Sequence, residues 1–179
     1  MHIRANSNIE LPEYAGSVLR GAFGHALKDS ACLSAAQHRG QCRCQTEDGC
    51  VYQQLFTPVA QESLALERSY TAATPLIIEA HAMPNRLEPG QHAYFEVTCI
   101  GQQANAQWPI IQLALQKALR NGIGWRLPDR GSAQLLAVNT LVAPESEPLP
   151  SGDCHIHLLG HTRLQHQGQI LSAQQWEAP

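Results

Sequence analysis

The sequence predicts an α+β fold in which an antiparallel sheet carries two helices on one of its faces. Three observations predict it. Two segments repeat apolar residues at three-to-four spacing, and four others alternate or run apolar over strand lengths. In chain order these elements read strand, helix, strand, strand, helix, strand.

Residues 3–11 alternate weakly and read as a first strand, ended by Pro12. From Glu13 the period changes: Leu19, Ala22, Phe23, Ala26 and Leu27 form a helical stripe. Gly16, Gly21 and Gly24 interrupt it, each at a cost of about 1 kcal/mol relative to alanine. Such a cost implies that something approaches the helix closely, either backbone or a nucleic-acid strand. Residues 32–50 are polar and without period, a loop that needs an external staple. Residues 74–83 and 92–100 are strand candidates, with Pro89-Gly90 in the turn between them, as in a hairpin with a longer connection. Trp108, Ile111, Leu115, Ala118 and Leu119 make a second amphipathic helix that stops at Asn121-Gly122. A basic, glycine-rich turn follows over 122–131, and then a last strand over 133–142. This order is that of a ferredoxin-like (RRM-like) domain, closing near residue 143. Residues 144–152 have linker composition. Residues 155–160 read as a further strand, and the 27 residues after Gly152 are expected to be the start of an abbreviated or truncated second domain.

The composition of the 179 residues, 44% hydrophobic and 15% charged, is that of a soluble globular protein. No apolar run approaches the roughly 18 residues of a membrane span, and residues 1–6 have no signal-peptide pattern, so a cytoplasmic location is expected. The formal net charge of -3 argues against a surface that grips nucleic acid everywhere. Any such site must be a local patch, which some of the nine histidines would strengthen when protonated.

Six cysteines without an export signal point to metal or structural use. Cys32, Cys42, Cys44 and Cys50 fall within nineteen residues, whereas Cys99 and Cys154 stand alone in apolar, strand-like settings. The four clustered thiolates suit one tetrahedral zinc ion, a zinc-knuckle insertion holding a loop that has no core of its own. The gap between Cys42 and Cys44 is tight, so His38 is an alternative ligand; four free thiols in a loop is the plainer reading. Four protein ligands leave no open position, so the zinc would be structural.

The run 11–27, Leu-Pro-Glu-Tyr-Ala-Gly-Ser-Val-Leu-Arg-Gly-Ala-Phe-Gly-His-Ala-Leu, resembles the opening signature of CRISPR precursor-processing endoribonucleases of the RAMP superfamily. The resemblance is to the subgroup with a cysteine cluster after the first helix, which closes here with Cys50, Tyr52, Leu55 and Phe56. Residues 87–91, with Pro89-Gly90, resemble the family's turn before a strand, and residues 121–126 its glycine-rich segment. Residues 157–168 resemble the opening of the family's second ferredoxin-like domain. The chain departs from the pattern in the single-residue Cys42–Cys44 gap and in Pro128-Asp129, which interrupt the glycine-rich segment.

The resemblance implies binding of CRISPR repeat RNA, or of the mature guide (crRNA), and a metal-independent attack of a ribose 2'-hydroxyl on the adjacent phosphate. That reaction needs a base at the hydroxyl and a cation at the phosphate. His25 and Lys28, three apart on the first helix, have the spacing for both roles, and Tyr14, a turn or so earlier, would orient the leaving oxygen. The plain alternative is a solvated histidine and an ordinary surface lysine. For RNA binding the candidates are Arg20, set among the glycines, and Lys117, Arg120, Arg126 and Arg130 around the glycine-rich turn, with Trp125 to stack on a base. Against these stand a salt-bridged Arg20 and a core Trp125. Three functions follow: a precursor-crRNA-processing endoribonuclease, a non-catalytic RAMP subunit that binds crRNA in an effector complex, or a zinc-stapled protein-interaction domain.

Overall fold

A computed structural model of the chain describes residues 1–32, 50–56, 58, 74–125 and 130–141, and the backbone of 165–166 and 169–170. The chain divides into two compact units, Met1–Thr140 and Leu141–Pro179.

In the first unit, alternation at the N-terminus gives strand β1 (His2–Ala5), with Ile3 and Ala5 buried, and then a two-residue strand β2 (Ile9–Glu10). The single strand expected over 3–11 is therefore two. Its break has a tertiary cause: the Asn6 amide donates to the Ser132 carbonyl at 2.8 Å, and Ser7 Oγ accepts the Ser132 amide at 2.9 Å. These bonds satisfy the turn backbone outside any ladder.

Helix α1 (Ala15–Ala31) buries Leu19, Phe23, Ala26 and Leu27, the stripe read from the sequence. A short helix the sequence did not signal, α2 (Val51–Phe56), packs on α1. Strands β3 (Leu76–Glu79), β4 (Arg86–Leu87), β5 (His92–Tyr94) and β6 (Glu96–Cys99) follow. Only buried Phe95 separates β5 from β6. A second unforeseen helix, α3 (Gly101–Ala106), leads into α4 (Trp108–Asn121), whose Pro109 sits in the first turn, where a missing N–H is harmless. Strand β7 (Ala133–Ala137) stops short of the expected 142.

These elements make an α+β arrangement with antiparallel ladders. One sheet has the order β5–β1–β7, β3 pairs with β6, and β2 pairs with β4. Helices α1 and α4 pack on each other. Ile3, Ala93 and Ala133 from the strands share one core with Phe23, Leu27, Ile111, Leu115 and Leu119 from the helices. Each large side chain buried there contributes about 1.5–3 kcal/mol. Cys99 packs against this core, and burial pushes its thiol above the ordinary range, holding it protonated.

In the second unit β8 (Gln165–His166) pairs antiparallel with β9 (Gln169–Ile170). No helix among the described residues is long and apolar enough to cross a membrane.

Candidate functional site

Helix α1 presents His25 to solvent, and Lys28 follows one turn later with its Nζ 5.7 Å from the centre of the Tyr52 ring. The two side chains share a helix face, as their spacing requires. Tyr14 does not join them. It occupies the N-cap of α1, eleven residues before His25, and the helical rise puts about 16 Å between the two along the axis. A phosphate beside His25 is therefore out of reach of the Tyr14 hydroxyl, which corrects the placement of Tyr14 one turn away.

Arg20 is engaged within the fold. Its Nη1 donates to the Leu76 carbonyl of β3 at 3.3 Å, and its guanidinium lies 4.8 Å over the Phe56 ring of α2. The approach that the helical glycines imply comes largely from the protein itself. A Cβ on Gly24 would fall 2.5 Å from the Phe56 ring, and one on Gly16 3.1 Å from the Ile78 carbonyl oxygen. Gly21 alone of the three faces open space.

The glycine-rich turn is built differently. Gly122 ends α4 with φ +101°, a left-handed conformation that side chains resist. Ile123 then bridges Gly131, its amide donating to the Gly131 carbonyl at 2.8 Å, and the Trp125 amide donates to the Glu10 carbonyl at 3.1 Å. The backbone is thus clamped at both ends while the Trp125 side chain remains 63% exposed, so this tryptophan is not a core residue. Arg130 lies across the turn: a Cβ on Gly122 would fall 2.9 Å from its Cβ. Arg120, in the last turn of α4, and Arg130 are both exposed. Lys117, nearer the helix centre, pairs with Asp29 of α1 at 3.7 Å, an exposed bridge of small energy. Arg126 lies outside the described residues.

Of the four clustered cysteines, Cys32 caps the C-terminus of α1, its amide donating to the Lys28 carbonyl at 2.9 Å. Cys50 stands just before α2, and its amide donates to the Gln53 side chain at 3.3 Å, half of a capping box. Both thiols are free and half-buried. Cys42, Cys44 and the alternative ligand His38 lie outside the described residues, as do Cys154 and the strand expected over 155–160. Among the described residues no group of three or more potential ligands gathers.

A profile of the AF_1859_N family, described as an N-terminal domain, matches residues 1–166. The chain belongs to this family. No curated protein and no solved structure matches it.

In this AF_1859_N domain the sequence drew attention to cations near glycines and passed over the outer face of the sheet. There His2, Arg4, His92 and Tyr94 lie together on β1 and β5. The signal that finds them is plain alternation: they are the positions between the buried residues of two neighbouring strands.

Proposed function

We propose that the protein is a CRISPR-associated RNA-binding protein related to the RAMP endoribonucleases, with a ferredoxin-like (RRM-like) first unit. The strand pairing supports that fold. Read through the continuous segment of β5 and β6, the order is last strand, first, third, second, with every pair antiparallel, as a βαββαβ unit requires. The observation that carries the RNA reading is the solvent-exposed Trp125 on a clamped glycine turn, with Arg130 across it and Arg120 at the preceding helix end. An indole offers a stacking surface for an unpaired base, and guanidinium groups offer paired donors to phosphate. Arg126 belongs to the same turn by sequence.

Cleavage would proceed from α1. His25 would remove the proton from the ribose 2'-hydroxyl, the freed oxygen would attack the adjacent phosphorus, and the bond to the 5'-oxygen would break as that oxygen takes a proton from water, the proton held by His25 passing back to solvent. Lys28 offsets the charge that develops on the phosphate, and the products are a cyclic phosphate and a 5'-hydroxyl. One observation favours the second reading, a non-catalytic subunit that holds crRNA: with Tyr14 at the far end of α1, neither His25 nor Lys28 has a hydroxyl from this set to serve the leaving oxygen.

A structural zinc would be held in part by Cys32 and Cys50, two reduced thiols that stand at the C-terminus of α1 and just before α2, helices that pack together. With Cys42 and Cys44 they would close a structural centre that ties down residues 32–50.

Incubating the chain with CRISPR repeat RNA in EDTA tests the reading. Cleavage that is lost in His25→Ala establishes the endoribonuclease, and tight binding without a cut establishes the subunit. If no salt-dependent RNA binding occurs, the RNA reading fails and a zinc-stapled protein-interaction domain is left.

A further inference from the structure

The pleat that sends Ile3, Ala5 and Ala93 into the core sends His2, Arg4, His92 and Tyr94 to the opposite face of the sheet. Register brings them together, with His2 opposite Tyr94 and Arg4 opposite His92. The His2 ring stacks on Tyr94, centroids 4.5 Å apart and planes within 14°. Its Nε2 lies 2.7 Å from Nδ1 of His92, whose ring tilts against it at 4.9 Å. Tyr94 is nevertheless 56% exposed. On the other side of β1, Arg4 Nη2 donates to Gln134 of β7 at 3.1 Å, using one of the five N–H donors of a guanidinium.

We propose that this face is a second RNA site, a platform on which unpaired bases of a single strand stack. It rests on the RNA-binding reading above and uses none of the residues invoked there. Three rings meet on the two strands at the centre of the ladder and contribute nothing to the core on the other side. The imidazole hydrogen bond holds His2 flat against Tyr94, so the platform is ordered before a base arrives and binding loses little side-chain freedom. Every base has a π-face, and such stacking tolerates any sequence.

Charge fixes the occupant and its path. Strands β5, β1 and β7 carry no acidic residue, and Arg4 lies between the rings and Gln134, placed for a phosphate. The acids of this face stand to one side, Glu96 two residues beyond Tyr94 in the continuous β5–β6 segment and Glu79 opposite it on β3, and they repel a polyanion there. The strand therefore crosses β5, β1 and β7, about 10 Å at the usual strand spacing, which is room for about two bases.

Fluorescence anisotropy of the full chain with a short single-stranded oligouridylate tests the platform. Tyr94→Ala is expected to weaken binding about tenfold and Tyr94→Phe to leave it unchanged, since stacking needs the ring and not the hydroxyl. Ultraviolet crosslinking of the unaltered protein provides a second readout that needs no variant: RNA attached to the peptide containing His92 and Tyr94 is expected. If Trp125→Ala weakens binding while Tyr94→Ala does not, and no crosslink falls on that peptide, the platform is overturned and the wider RNA reading stands. Absence of any binding by the unaltered protein overturns both.

Discussion

Gly21 and Gly24 stand less than one turn apart on the same helix, yet their surroundings are opposite. A Cβ on Gly21 meets nothing within 4 Å, while one on Gly24 meets the Phe56 ring at 2.5 Å. Phe56 is held in turn by Arg20 above it and by Tyr52 at 5.3 Å, so the ring has little room to give way. Gly21→Ala is therefore expected to stabilise the fold by up to about 1 kcal/mol through helix propensity alone. Gly24→Ala should lose about 1–2 kcal/mol, because overpacking outweighs that gain. Urea melts of the two variants check the signs, and equal shifts would refute the packing argument. The sequence made all three helical glycines visible as costs but not their causes, since the approaching groups come from residues 56 and 78, far along the chain. Trp125 was ambiguous for the same reason: its backbone is tied to Glu10, far back along the chain, and its exposure follows from that tertiary arrangement. The separation of Tyr14 from His25 follows from the rise of a helix over eleven residues and needs no tertiary information.

At the scale of elements, α1 and α4 were legible because a 3.6-residue period repeats several times over 17 and 14 residues. Strands β2 and β4, with two residues each, and helices α2 and α3, with six, are too short to display a period. Their existence is fixed by partners: β2 and β4 find each other, and α2 finds α1. Arg20 joins three of these elements at once, reaching the β3 carbonyl of Leu76 from α1 and covering Phe56 of α2. Read from the sequence as a phosphate ligand, it has a structural use that only the tertiary arrangement reveals. Arg20→Ala should thus cost about 1–2 kcal/mol of stability, one hydrogen bond plus one cation–π contact. RNA affinity should stay unchanged once the variant is folded. Thermal melts paired with anisotropy separate the two roles, and an affinity loss without a stability loss would return Arg20 to the RNA.

For the molecule as a whole, the charge balance constrains the proposed RNA binding. Twelve lysines and arginines face fifteen aspartates and glutamates, so the average field repels a polyanion and attraction must be local. The proposed contacts are few: Arg120, Arg126 and Arg130 at the glycine turn and Arg4 on the sheet. If each neutralises one phosphate of a single strand, log Kobs should fall with log salt at a slope of about -3. The stacking component does not depend on salt, so binding at the high-salt end of a potassium chloride series should persist and rest on Trp125 and Tyr94. Arg130→Gln should then make the slope shallower by about 0.7 while Trp125→Ala lowers affinity without changing it. A steep slope, as for a protein with many phosphate contacts, would mean that cations elsewhere in the chain take part, and a slope near zero would remove guanidinium–phosphate contact from the mechanism.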